Sequence, residues 1–391
     1  MVYVCIALGL IFCSFWVAQL IFVTAHSRWT YRITESDKRD MSTGVSIIHP
    51  IKDLDFELEK NLESWMNQNY KGPVEHIFSF QEADDPAIEI VRDIISKYPE
   101  VDCKITINPV IEGLNGKSSN MVNGMRMSRY GIIMFGDSDI RIQPDFIVKM
   151  VRPLKNEKIG IMTCGQINRG GKDFWTRFFT FEQNCETDFI WAFLTKLRVD
   201  VGATGAAFAM RKKLLKEIGG LEAFGGSLLE DMHLGSTLYR MGYKVALGPF
   251  LECQVNKLER EKSLNYAKRI AIGIRTHISF ELPAFIVMLF WYWALLFISV
   301  IAEDIPAIYI CLGFIGLRIL HGIGQRIVTG NRVYVVDLIM APFFDLFGTF
   351  YLTYSTFSKP YVMWRGIKYE IKKGGYIEEM YTSDGGIKVA E

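Results

Sequence analysis

"GIIMFGDSDIR", residues 131–141, sets an unbroken apolar run directly against two carboxylates one residue apart. A short continuous apolar run bounded by glycine reads as a strand buried on both faces. Asp137 and Asp139 then stand at its carboxyl end. In open α/β sheets, ligands lie just outside the carboxyl ends of the strands, so this is where exposed carboxylates have a use.

Working outward, the same alternation recurs from Val45 to Gln254. Strands are predicted at "VSIIHPI" (45–51), "EHIFSFQ" (75–81), "CKITINP" (103–109), "GIIMFGD" (131–137), "IGIMTCG" (159–165), "GAAFAMR" (205–211) and "YKVALGP" (243–249). Between them, 55–69, 85–99 and 117–130 carry apolar residues at helical spacing. Strands alternating with amphipathic helices predict an α/β, doubly wound, Rossmann-like domain over 45–255.

The rest of the chain belongs to a different solvent. Half of the 391 residues are hydrophobic, 27 of them Phe, and four runs are strongly apolar. The first, 2–25, has no charge over 24 residues, and about 20 suffice to span a bilayer. No basic segment precedes it, so 1–26 is expected to be a retained anchor rather than a cleaved signal. The other runs, 282–302, 305–324 and 333–357, predict a transmembrane or re-entrant cluster over 281–358, followed by a tail at 359–391. Arg318, Asp337, Asp345 and Pro342 interrupt the last two; such residues either face protein or snorkel to the interface. Basic residues flank three of the junctions: Arg28, Arg32, Lys38 and Arg39, then Lys257 to Arg275, then Arg326 and Arg332. That bias puts the central domain on the cytoplasmic side. Four full crossings would place Arg365, Lys368, Lys372 and Lys373 on the opposite side, so the fourth run is re-entrant or the tail is an exception. Residues 256–280 mix basic side chains with Leu264, Ile270, Ile272 and Ile274, predicting a helix along the membrane surface, with a plain connector as the alternative.

Charge and cysteines exclude several functions. With 44 basic and 43 acidic residues, nucleic acid is not an expected partner. The seven cysteines form no disulfide framework and the six histidines are scattered, so no zinc site is suggested.

The acidic pairs carry the chemistry. Asp137 and Asp139 are suited to holding a divalent cation with a diphosphate, because Mg²⁺ prefers one or two carboxylates plus phosphate and water; a solvated turn is the alternative for the tripeptide alone. Asp84 and Asp85 follow the second strand on the same edge of the sheet, although Asp85 before Pro86 also fits a helix cap. Glu230 and Asp231 open an amphipathic helix, a place where acidic residues are favoured in any case. Lys52 and Lys117 are candidates for diphosphate contacts, and "VGATGAAFAMRKK" (201–213) supplies small residues for close backbone approach. Trp175, Phe178, Phe179, Phe181, Phe189 and Trp191 either line the access route of an apolar substrate or pack a core.

"VSIIHPIK", "QEADDPAI" with "KYPEVD", "FGDSDIRIQPD", "TGAAFAMRKKLL", "LLEDMHLG" and "WRGIKYEI" occur in that order. Together they resemble the glycosyltransferase family 2 (GT-A type) fold, and more closely the ceramide glucosyltransferases, from about Val45 to Gly375. The resemblance implies a membrane-bound inverting transferase moving a hexose, glucose from UDP-glucose first, onto a lipid hydroxyl, ceramide first. It implies Asp231 as catalytic base beside Glu230, and Asp84 or Asp85 on the nucleoside. Asp137 and Asp139 would hold Mg²⁺ or Mn²⁺ and the diphosphate. One motif departs: the family's Gln/Arg-x-x-Arg-Trp is represented by "YAKRI", keeping Arg269 without the Trp, which makes a processive polysaccharide synthase a weaker reading; Arg269 or Arg275 is left to meet the diphosphate. Other lipid acceptors, a hopanoid or diacylglycerol, would use the same machinery. A non-catalytic membrane scaffold would be indifferent to Asp231→Asn.

Overall fold

The computed structural model describes residues 1–36, 43–109, 115–277, 281–330, 333–358, 360–364, 367–372 and 375–382. Lys38, Arg39, Arg332, Arg365 and Lys373, used above for membrane orientation, lie outside the described residues.

The chain opens with helix α1 (Val2–Ser36) and enters the α/β region through β1 (Val45–Pro50), α2 (Leu58–Met66), β2 (Val74–Phe80), α3 (Ala87–Lys97) and β3 (Asp102–Ile107). It continues with α4 (Gly116–Arg126), β4 (Ile132–Gly136), β5 (Ile140–Arg141), α5 (Phe146–Val151), β6 (Ile159–Thr163) and β7 (Gln166–Gly170). Next come α6 (Phe174–Phe181), a π-helical turn (Glu182–Thr187), α7 (Asp188–Lys196), β8 (Ala207–Arg211) and α8 (Lys212–Glu217). Then follow α9 (Glu230–Arg240), β9 (Lys244–Leu247), β10 (Leu251–Val255) and α10 (Arg260–His277). Helices α11 (Glu281–Ile301), α12 (Ile305–Thr329) and α13 (Val335–Phe357) precede a hairpin-like β11 (Tyr361–Trp364), β12 (Ile367–Ile371) and β13 (Ile377–Thr382).

All seven strands expected from the sequence form one sheet, in the order β3-β2-β1-β4-β8-β6-β9. Strands β1 to β4 pair in parallel, and the α/β core they make is covered on both faces. Period-2 alternation explains the layering: Ile47 enters the core built with α2, α3 and α5, and its neighbour Ile48 the core built with α4, α8 and α9. Each fully buried Ile or Phe here is worth about 1.5–3 kcal/mol. Helix α4 lies close on β1, since a Cβ at Gly124 would meet Ile48 at 2.5 Å.

One strand departs from the parallel expectation. β8 runs antiparallel to both β4 and β6, which brings the Gly202–Ala206 approach to it up against the end of β4. A second, three-stranded sheet, β5-β10-β7, stands at that end, and β11, β12 and β13 form a third.

Among the described residues three helices, spanning Val2–His26, Ile305–Thr329 and Val335–Ser355, are long and apolar enough to cross a membrane; the apolar stretch of α11 described over Ile286–Ile301 is shorter. Phe12 and Trp16 of α1 pack on Trp291 of α11, and Trp16 stacks on His321 of α12. The ionisable residues in these runs face protein rather than snorkelling: Arg318 is 2% exposed and donates to Asp345 and Glu186, and Asp337 accepts from Arg177. At its far end α1 is seated on the α/β region, where His26 Nε2 lies 2.8 Å from the Gly248 carbonyl.

Candidate active site

The carboxyl end of β4 delivers Asp137 and Asp139, and the amide of Asp137 donates to the Ala206 carbonyl of the strand that runs back against it. Across from them, the first turn of α4 supplies Lys117. Its Nζ is 2.6 Å and 2.8 Å from the two Asp137 oxygens and donates to the Gly205 carbonyl at 3.1 Å. Burial works against this charge, but Asp137, Glu230 and Asp231 outweigh it and hold the ammonium above its usual range.

Glu230 and Asp231 sit in the first turn of α9. Asn115 joins that turn to α4: its Oδ1 accepts from the Lys117 and Ser118 amides, and its Nδ2 donates to Glu230 Oε2 at 2.9 Å and to the Ser227 carbonyl. One side chain therefore caps α4 and fixes Glu230. The space beside Asp231 requires glycine, because a Cβ at Gly205 would lie 2.5 Å from Asp231 Oδ2. The segment before α9 is clamped by the C-terminal sheet, Ile377 N donating to the Gly226 carbonyl at 2.7 Å and Leu228 N to Gly375 at 3.2 Å.

Electrostatically this floor is loaded. Burial first, and then the neighbouring Asp231, push Glu230 up to about 7. Burial likewise raises Asp231, with Lys117 pulling the other way. Burial, Asp137 and Asp55 push Asp139 up to about 7. Such desolvated, mutually repelling carboxylates are typical of functional sites.

These groups converge on one cavity of about 860 Å³ lined by Asp55, Lys117, Asp137, Asp139, Glu230, Asp231 and Arg269. Its far wall is apolar: Phe179, Ile190, Trp191, Leu194, Val201, Tyr266 and Ile270, with Phe15 from α1 and Met288 from α11. Arg269 lies over the Tyr266 ring, 4.7 Å from its centre, and Tyr266 meets Phe179 edge-on, so an aromatic stands near this Arg although the motif Trp is missing. Of the aromatic residues singled out in sequence, Phe179 and Trp191 line the cavity, whereas Phe178, Phe181 and Phe189 are core.

Four of the predicted residues stand outside this lining: Arg275, the alternative to Arg269, and Asp85, Asp84 and Lys52. Asp85 is buried and its oxygens accept from the Asp53 and Ala87 amides, which is the capping alternative. Asp84 is exposed, and Lys52 faces Glu82 at 3.8 Å. Conversely, Asn115, Asn168, Gln183 and Gln254 were not signalled by any motif: Asn168 and Gln254 lie on the short strands β7 and β10, Gln183 in the π-turn and Asn115 just before α4.

Asp137 and Asp139 suit a divalent cation: both are hard oxygen donors, and burial with the neighbouring Asp137 and Asp55 disfavours an uncompensated charge on Asp139. Among the described residues no group of three acidic, His or Cys side chains gathers as a ready-made metal site. Diphosphate oxygens and water would have to complete such a coordination sphere.

Residues 10–377 match the sequence model of glycosyl transferase family 21. The chain belongs to glycosyl transferase family 21. Among curated relatives of this family 21 chain, ceramide glucosyltransferase 3 of Caenorhabditis elegans is 34% identical over 240 residues, 61% of this chain and 51% of that one. Ceramide glucosyltransferase 1 of the same organism is 32% identical over 244 residues, again 61% and 51%. The family 21 chain spans about half the length of the curated relatives it matches. Among solved structures, the mannosyltransferase PcManGT from Pyrobaculum calidifontis, in complex with GDP-Man and Mn²⁺, is 15% identical with a TM-score of 0.45, covering 88% of this chain and 96% of that one. That likeness is too distant to carry any argument about the site.

Proposed function

We propose that this chain is a multi-pass membrane glycosyltransferase, its α/β domain facing the cytoplasm, that moves glucose from UDP-glucose to the hydroxyl of ceramide with inversion at the anomeric carbon. The observation that carries this reading is the cavity itself: an acidic floor and an apolar wall share one space, and helices α1 and α11 contribute to that wall. An acceptor resident in a bilayer can reach such a floor without passing fully into water. The curated relatives bear the name ceramide glucosyltransferase, which supports the choice of acceptor and sugar.

Asp231 takes the proton of the attacking hydroxyl as that oxygen approaches the anomeric carbon opposite the departing diphosphate, through an oxocarbenium-like state. Glu230, held by Asn115, keeps the floor negative beside it. Lys117 and Arg269 meet the diphosphate charge as it develops. A divalent cation held by Asp137 and Asp139 would supply further neutralisation of that leaving group. Of the residues beyond the cavity, Lys52 after β1 is assigned to the diphosphate and the exposed Asp84 after β2 to the nucleoside, because the Asp85 oxygens are taken by the Asp53 and Ala87 amides.

The test is transfer of labelled glucose from UDP-glucose to ceramide in membranes expressing the full chain, with Mg²⁺ or with EDTA, beside Asp231→Asn. A glucosylceramide that needs the metal and disappears in the variant is expected. Product confined to another lipid, or persisting in Asp231→Asn, would overturn the assignment.

A further inference from the structure

Two carboxamides in the cavity lack the partners that buried amides normally have. Gln183 is 6% exposed, lines the cavity, and forms no side-chain hydrogen bond among the described residues. Gln254 also lines it, and its Nε2 is buried with no partner. The Gln254 nitrogen, buried and unsatisfied, opposes folding and so calls for a reason, while Gln183 turns its amide to the cavity. Neither position is a packing accident. Gln254 follows Cys253 on β10, and its own amide donates to the Asp139 carbonyl at 2.8 Å, which fixes it at the carboxylate end. Gln183 lies in the π-turn next to Asn184, which hydrogen-bonds the backbone of Asn168, the strand partner of Cys253 beside Gln254.

The π-turn is held from both sides. Asn184 brackets the backbone of Asn168, accepting from its amide and donating to its carbonyl at 2.7 Å and 2.9 Å. From the membrane helices, Gln325 donates to the Cys185 carbonyl at 2.6 Å and Arg318 donates to Glu186. The extra residue of a π-turn re-aims a side chain, and such turns recur at functional sites. Here the turn presents Gln183, with Thr187 at its end, to the cavity.

We propose that Gln183 and Gln254 recognise the amide of an N-acylated amino-alcohol acceptor, and so select it over ester-linked lipids. This rests on the lipid-acceptor reading above. A carboxamide offers both a donor and an acceptor, matching the C=O and N–H of a secondary amide, whereas an ester has no N–H to give. One cavity holds groups for each part of such a molecule: carboxylates for the hydroxyl, carboxamides for the amide, and apolar side chains for the chains.

The experiment measures kcat/KM with UDP-glucose for ceramide, for ceramide methylated on its amide nitrogen, and for diacylglycerol. Wild type, Gln183→Met and Gln254→Met are compared, with UDP binding as the check that each variant is folded. Wild type is expected to favour ceramide over the N-methylated analogue by about tenfold or more, since a site built around a hydrogen bond rejects the analogue that lacks it. Each Met variant should bring that ratio to within about twofold, because the isosteric side chain leaves no amide group to satisfy. Failure of wild type to discriminate would overturn the proposal without any variant. So would Met variants that slow both acceptors by the same factor. If wild type glucosylates none of the three lipids, the lipid-acceptor reading falls with it; transfer to ceramide without discrimination removes the recognition pair alone.

Discussion

The Lys117 ammonium lies 2.6 Å from Asp137 and 3.1 Å from the Gly205 carbonyl, so one cation from α4 answers groups on β4 and on the approach to β8. It also feels Glu230 and Asp231. Lys117→Met keeps the aliphatic stem and removes the only part that offsets this negative floor. Transfer is expected to fall about 100-fold, the size of loss seen when one preorganised donor to a developing charge is deleted. Steady-state kinetics over UDP-glucose concentration, with UDP affinity measured separately, checks it; unchanged turnover would remove Lys117 from the site.

The acidic pair at α9 predicts a pH profile. Burial raises both Glu230, to about 7, and Asp231. A base works only when ionised, so kcat/KM should decline as pH falls through the raised value of Asp231, well before the ordinary carboxylate range is reached. Stability has the opposite sign: the folded protein binds more protons than the unfolded chain between the ordinary carboxylate range and the raised values, so this pair favours folding at low pH and that contribution is lost as pH rises through about 7. Glu230→Gln keeps an oxygen for Asn115 and deletes the like charge. Its acid limb should move to lower pH; a profile that does not move would separate Glu230 from the titration of Asp231.

How much of this was legible in the sequence differs by element. The five inner strands of the main sheet could be found because burial on both faces writes a continuous apolar run, as in Ile132–Phe135, while the half-buried edge strands β3 and β9 follow from their alternation with helices. The same run placed Asp137 and Asp139. Strand direction is not written in periodicity, so the reversal of β8 was invisible. β5, β7 and β10 are short and carry polar residues such as Asn168 and Gln254 toward the cavity, which makes them read as loop. The six-residue π-turn shifts Gln183 out of the 3.6-residue pattern through which a helix face is recognised. Asn115 carries no local signal at all, since Glu230 is 115 residues away in sequence.

The buried charges of α12 and α13 predict a coupled loss. Arg318 Nε donates to Asp345 at 2.7 Å, Tyr292 donates to the same carboxylate at 2.6 Å, and Arg318 also reaches Glu186 in the π-turn. Arg318→Met leaves two buried carboxylates uncompensated, which costs about 3–5 kcal/mol when one partner of a buried pair is removed. Thermal unfolding in detergent should show this, and the added Asp345→Asn should restore part of it. Because the same contact holds the turn that carries Gln183, the KM for ceramide should rise more than the KM for UDP-glucose. Equal changes in both would mean the network serves stability alone.

The C-terminal sheet predicts that residues far from the chemistry in sequence set its rate. Leu228, two residues before Glu230, packs with Ile272 of α10 and with Val362, Tyr369, Ile371 and Ile377 of the sheet. Backbone bonds from Ile377 to Gly226 and from Leu228 to Gly375 add direction to that apolar contact. The start of α9 is therefore positioned by a surface that both α10 and the tail complete. Ile377→Asp, which puts a charge into a site only 5% exposed, or truncation after Ser358, should release the turn that aims Asp231. Displacement of a reacting group by about 1 Å can cost about 100-fold in rate. Transfer should fall by that order while UDP binding and membrane insertion, which depend on β4, α4 and the apolar helices, survive. Full transfer by the truncated chain would show that α9 holds Asp231 unaided.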